Sequence, residues 1–168
     1  MPERIEVHPD FDKLSYENDI ALIKLNSPLV FSKHIIPVCI SQSTASGKWG
    51  NLIGWGSTEE DGPLSNTLQY AELQILTNHH CEKMFNQSRH FQYISSSFLC
   101  AGDDSGQIDS CIGDSGAPFV VQINGVWYLY GIVSWGIGSI CAEPGIPTVF
   151  TRISTFYDWI KNVTSLHF

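Results

Sequence analysis

Apolar positions along the chain fall in short clusters broken by turn residues, not in long stripes. Residues 19–25, "DIALIKL", are apolar at nearly every position except Lys24, the pattern of a strand buried on both faces. "LQYAELQIL" alternates roughly, as a half-buried strand does. Residues 116–136, "GAPFVVQINGVWYLYGIVSWG", read as two strands around Asn124-Gly125, a pair suited to a tight hairpin with both central residues at positive φ. Helical signals are rare. "NHHCEKMF" predicts a short helix. The tail, "STFYDWIKNV", predicts a second one: Thr155 and Asp158 have capping-box spacing, and Phe156, Trp159, Ile160 and Val163 lie on one face. Residues 27–48 are the loosest stretch and read as a crossing between two units. Many short strands and a terminal helix predict an all-β sandwich or barrel.

Composition narrows the function classes. The chain has 168 residues, 43% of them hydrophobic, enough for one sizeable core or two small ones. Its formal net charge is -8 and it has no basic block, which argues against nucleic acid or an anionic membrane as partner. No run approaches the ~18 apolar residues of a membrane span. The five cysteines, Cys39, Cys81, Cys100, Cys111 and Cys141, form no close Cys-x-x-Cys pair, so no zinc site is expected. Scattered through a strand-rich chain, they suggest disulfides in an oxidising compartment, with one left over. Sequons at Asn86 and Asn162 agree with secretion. The first residues, "MPERIEVHPDF", lack the apolar core of a signal peptide. The expectation is that a signal was removed or that the chain begins partway through something longer.

One motif carries chemistry. "GDSGAP" sets Ser115 in a turn before an apolar run. A serine hydroxyl is a weak nucleophile until a neighbouring base takes its proton. The motif resembles the active-site turn of the trypsin-like serine proteases of the chymotrypsin family. "NDIALIKL", "IIPVCI", "IGWGST", "FLCAGD", "GIVSWG" and "TVFTRISTFYDWI" follow that family's order and distances over nearly the whole chain. The resemblance implies a double six-stranded β-barrel, trypsin-like, with the first barrel only partly present and a C-terminal α-helix. Residues 1–35 would be the remnant of the first barrel, 36–47 the linker, 48–154 the second barrel and 155–168 the helix and tail.

The resemblance also assigns roles. Ser115 would be the nucleophile and Asp19 the residue orienting the base. Gly113 and Ser115 would donate their amides to the oxyanion. Asp109 would form the floor of the specificity pocket, favouring a substrate arginine or lysine. Ser110, Ser134, Trp135 and Gly136 would line that pocket or pair with substrate backbone. Thr148 falls where a trypsin-like pocket usually has glycine, and the 136–141 loop is longer than is common, so both would reshape the pocket. Ala117 replaces the family's second glycine after the serine, tolerable at negative φ. Cys81–Cys100 and Cys111–Cys141 match two family disulfides, and Gly50 and Val121 stand where a third would be. Cys39 matches a cysteine that ties relatives to a propeptide, implying a partner chain or longer precursor. Protein or peptide substrates and protease inhibitors are the other partners implied, and no cofactor or metal.

Two parts of the family's machinery are not found. Its catalytic histidine lies well upstream of the triad aspartate, and the residues before Asp19 contain no Ala-Ala-His-Cys motif. His8, His34, His79, His80, His90 and His167 match no catalytic position and read as surface or packing residues. Asp114 would pair with a new amino terminus made by cleavage, but the Ile-Val-Gly-Gly-like terminus is not there. The expectation is therefore an extracellular, N-terminally truncated piece of a serine endopeptidase, inactive alone. The alternative is a non-catalytic protease-like binding module or an inactive short product.

Overall fold

A computed structural model describes residues 1–165 apart from 44–45, 103–108, 138–140 and 142. His167 and the middle of the 136–141 loop lie outside the described residues. The chain runs as strands β1 (Pro2–Val7), β2 (Ala21–Leu25), β3 (Cys39–Ile40), β4 (Trp49–Gly54) and β5 (Gln69–Leu76), helix α1 (Asn78–Gln87), and strands β6 (Phe98–Gly102), β7 (Pro118–Ile123), β8 (Val126–Trp135) and β9 (Thr148–Arg152). A 3-10 turn (Ile153–Phe156) then leads into α2 (Tyr157–Thr164).

Six strands close on themselves in the order β8-β7-β4-β5-β6-β9, with β9 returning to pair with β8. Closure leaves this sheet no free edge between β9 and β8. The barrel interior is apolar: Leu52, Leu73, Ile75, Leu99, Phe119, Val121, Tyr130, Val133 and Phe150 form one cluster. Along β4 the burial alternates with the strand period, so Gly50, Leu52 and Gly54 point inward. Gly50 is needed there because a Cβ would come within 2.6 Å of the Phe119 ring. That ring fills the space beside Gly50, on the strand pair where β4 meets β7.

The hairpin between β7 and β8 forms as the sequence predicts, with Asn124 at φ 50° and Gly125 at φ 82°. Helix α1 also forms, capped by the Thr77 hydroxyl accepting from the His80 amide at 3.1 Å. Cys81 joins it to Cys100 on β6.

Two sequence expectations need correction. The capping box at Thr155 and Asp158 does not form. The 3-10 turn occupies its place, and the Thr155 hydroxyl donates to the Ser96 carbonyl at 3.3 Å instead. A tertiary acceptor has outcompeted a local one. The helix still buries the predicted face, with Phe156 and Ile160 packed beside Ile153 and Ile20. The second correction concerns β2. It pairs with β1 alone, and Ile23 is 61% exposed, so it is not a strand buried on both faces. Only Leu22 turns toward the Ile20–Ile160 cluster.

Arg152 anchors the barrel to what surrounds it. It is a buried cation whose Nε donates to the Ser96 and Phe98 carbonyls (3.1 and 3.0 Å) and whose Nη2 donates to Asn78 Oδ1 (2.8 Å). Burial pushes its pKa below the ordinary value for a guanidinium. Arg152→Met keeps much of the apolar stem but strands those acceptors. It is expected to lower unfolding free energy by about 2–4 kcal/mol, read from the urea midpoint.

Candidate active site

The turn that carries Ser115 is built by two glycines and a buried acid. Gly113 has φ +95° and Gly116 φ +81°, conformations that side chains rarely adopt. A Cβ on Gly113 would also strike Leu64 Cδ2 at 2.3 Å. The Asp114 amide donates to the Cys111 carbonyl at 3.0 Å, and the Ala117 amide to the Asp114 carbonyl at 2.8 Å. The Gly116 amide donates to Val133 on β8 at 2.9 Å, which pins the turn to the barrel. Ala117 has a negative φ, so its methyl group fits the turn.

What the turn leaves unused matters most. The amides of Gly113 and Ser115 donate to no described residue, and the exposed Ser115 hydroxyl has no hydrogen-bond partner among them. Two free N–H groups flanking a free hydroxyl can receive an oxygen that gains negative charge.

Asp114 sits beneath this turn, 9% exposed. Its Oδ1 accepts from the Gly56 amide at 2.8 Å and its Oδ2 from the Cys111 amide at 3.1 Å. Gly54 and Gly56 make room for it: a Cβ on either would come within 2.1 or 2.3 Å of the carboxylate. Among the described residues no cation lies within ion-pairing distance of it, since the ion pairs there are Arg4–Glu6 and Lys24–Glu3. Beside Asp114 is a cleft of about 260 Å³ whose walls include Gly56, Glu59, Glu60 and Asp109.

Asp19 reaches the same region from just before β2. Its Oδ2 accepts from Ser134 Oγ at 2.7 Å, and its carbonyl accepts from Thr151 Oγ1 at 2.7 Å. Both donors lie on barrel strands, so Asp19 is held against the second unit. Upstream, the loop is kept in shape by Asp12, which accepts from the Leu14 amide at 2.8 Å and Ser15 Oγ at 2.9 Å. Those hydrogen bonds hold the Asp12 carboxyl below its ordinary pKa.

A second cleft, about 270 Å³, opens on Ser115. Asp109, Ser110, Ser134, Trp135 and Gly136 all line it, so the structure brings together residues to which the resemblance assigned the pocket. Trp135 is braced by Phe85 of α1 and Phe98 of β6, with ring centroids 5.9 and 5.7 Å away. Thr148, 2% exposed, lies behind the wall and donates its hydroxyl to Asp109 Oδ1. The Cys111–Cys141 disulfide ties the turn to the segment before β9.

The remaining candidates lie elsewhere. Cys39 is exposed and outside both disulfides. Gly50 and Val121 sit on β4 and β7, and a Cβ on Gly50 would strike the Phe119 ring. Among the described residues no imidazole lines the Ser115 cleft. His8 packs against Phe156 and Trp159, with centroids 5.3 and 4.9 Å away, while His34, His79 and His80 are exposed. Sequence reasoning missed Gly54, Gly56, Leu64 and Thr151. The two glycines bracketing Trp55 in "IGWGST" were the visible signal for a backbone that something approaches closely.

Comparison with known proteins agrees with this geometry. The family model described as Trypsin matches residues 2–160. The chain is 43% identical over 157 residues to the serine proteinase stubble of Drosophila melanogaster, covering 92% of this chain and 20% of that protein. It is 38% identical over 168 residues to the transmembrane protease serine 11G of Mus musculus, covering 98% and 39%. It is 39% identical over 152 residues to testisin of Homo sapiens, covering 86% and 47%. The chain thus spans less than half the length of each of these relatives.

Proposed function

Because the chain belongs to the trypsin family of serine proteases, we propose that it is part of a secreted endopeptidase that cleaves after lysine or arginine. The observation that carries this reading is the pair of undonated amides at Gly113 and Ser115, opening on a cleft that contains Asp109. In the proposed reaction Ser115 Oγ attacks the scissile carbonyl carbon as a base takes its proton. The oxygen of the tetrahedral state accepts from the Gly113 and Ser115 amides. Collapse expels the amine, which takes the proton from the base, and water then hydrolyses the acyl ester. Loss of one oxyanion donor raises such a barrier by roughly 3–4 kcal/mol.

No described imidazole lines the cleft; Asp19, which accepts from Ser134 of the cleft wall, would orient one. We assign the role of base to a histidine outside residues 1–168 and expect no meaningful hydrolysis from these residues alone. The same observation favours the second reading, a protease-like module that binds without cutting.

Asp114 has an activation role in this proposal. Its backbone partners carry no charge, and the adjoining 260 Å³ cleft is lined by acids, a setting that suits the ammonium of a newly cut amino terminus. The exposed Cys39 is assigned to a disulfide with a propeptide, and the exposed Asn86 and Asn162 to glycosylation. Residues 1–35 are taken as part of a first barrel, 36–47 as linker, 48–154 as the second barrel and 155–168 as the tail of one peptidase domain. No helix among the described residues is long and apolar enough to cross a membrane.

Covalent capture tests the proposal. A fluorophosphonate is expected to label the activated full-length protein at Ser115 and to leave Ser115→Ala unlabelled. A full-length protein that resists labelling, or labels equally without Ser115, overturns the proposal.

A further inference from the structure

Asp19 is held at both ends of the residue. Its Oδ2 accepts from Ser134 Oγ on β8, and its backbone carbonyl accepts from Thr151 Oγ1 on β9, both at 2.7 Å. The first bond fixes the carboxylate itself. The second fixes the backbone from which it hangs. Among the described residues Oδ1 has no hydrogen-bond partner, which leaves it as the oxygen that can meet an imidazole N–H.

Thr151 is a rigid donor. Its backbone lies between Phe98 of β6 and Ile132 of β8, inside the closed sheet. Phe150 belongs to the barrel interior, so the alternation of a strand turns Thr151 outward. That side of β9 is buried all the same, with Thr151 only 1% exposed. A threonine is stiff at χ1, so its hydroxyl has little freedom to leave the carbonyl. Ile20 adds an anchor one residue further on, 6% exposed and packed with Ile153, Phe156 and Ile160. These anchors matter because Asp19 does not belong to the barrel. It precedes β2, and β1 and β2 form a sheet of their own among the described residues. The Thr151 bond therefore sets the register of one unit's acid against the other unit's serine.

We propose that Thr151 is a positioning residue that sets the turnover of the Ser115 site by holding the Asp19 backbone against the barrel. The inference rests on the reading of Asp19 as the residue that orients the base. Thr151 does not reach substrate itself, because it is buried and lines neither the cleft at Ser115 nor the one beside Asp114. Losing its hydroxyl should therefore lower kcat and spare KM. A slight shift of the Asp19 carboxylate misaligns the imidazole, and misplacement of that kind costs about tenfold in rate.

The test counts working sites before it times them. The activated full-length protein is titrated with a fluorophosphonate, and kcat and KM on a peptide substrate are expressed per labelled site. Thr151→Val keeps the shape and removes the hydroxyl, and Thr151→Ala removes it without the β-branch. Each is expected to lower kcat per site about tenfold with KM within about twofold. Thr151→Ser returns a hydroxyl and is expected to recover most of the rate. A purely structural role would instead reduce the number of labelled sites and leave the turnover of the remainder unchanged. Labelling rates are also compared in an Asp19→Asn background, where Thr151→Val is expected to cause no further slowing. Unchanged kcat per site in both hydroxyl-free variants overturns the inference, as does a further tenfold slowing on top of Asp19→Asn. A wild-type protein that neither cuts nor labels sinks the endopeptidase reading and this inference with it. A wild type that does both, while Thr151→Val turns over equally fast, sinks this inference alone.

Discussion

Ser115→Ala in the activated full-length protein is expected to lower kcat on a peptide substrate by on the order of 10⁵-fold or more, with KM little changed. The size follows from what the hydroxyl does. Without Oγ no acyl-enzyme forms, and only the oxyanion donors and substrate binding remain to help a water attack directly. The fold should be untouched, because Ser115 is exposed and its side chain contributes no hydrogen bond among the described residues. An unchanged urea midpoint alongside lost turnover is therefore part of the expected result. If turnover falls less than tenfold, the nucleophile is another group, and the reading of the turn is wrong.

Gly56→Val is also expected to remove activity, but by dismantling the site's support. A Cβ at residue 56 would sit 2.3 to 2.5 Å from the three carboxyl atoms of Asp114, inside any real contact distance. Either the segment that follows β4 or Asp114 must move. Moving Asp114 breaks its bonds to the Gly56 and Cys111 amides and leaves a buried charge without them. Charge-assisted bonds contribute about 1.5–3 kcal/mol each, and overpacking costs a further 1–3. A loss of about 4 kcal/mol or more is expected, seen as a fall in the urea midpoint, with fluorophosphonate labelling lost as well. A midpoint unchanged within about 0.5 kcal/mol would mean that the acid is not anchored where the structure has it.

The features legible in the sequence are the ones whose causes are local. Asn124-Gly125 can be read because positive φ is a property of those two residues. Helix α1 can be read from "NHHCEKMF", although its cap at Thr77 went unremarked in the sequence. Thr155 misled because its hydroxyl found the Ser96 carbonyl, a partner set by packing and not by spacing. The exposed face of β2 also escaped the pattern, since apolar runs report what a strand could bury, not what covers it. In the site, "GDSGAP" announced the turn, but the cradle for Asp114 depends on Gly56, 58 positions away in the chain. The Thr148–Asp109 contact spans 39 positions. Thr148 could be noticed as unusual, but which oxygen it would occupy could be seen only in three dimensions.

The placement of the two cross-links implies a division of vulnerability. Cys81–Cys100 fastens a helix to the outside of the barrel, and Cys111–Cys141 braces the wall beside Ser115. Between β4 and β7 it is the Phe119 ring lodged against Gly50, not sulfur, that fills the joint. Cys81 and Cys100 are fully buried whereas Cys111 and Cys141 are half-buried, so a mild reductant would reach the bridge beside the Ser115 cleft first and loosen that wall while the barrel core still looks native to a bulk probe of folding.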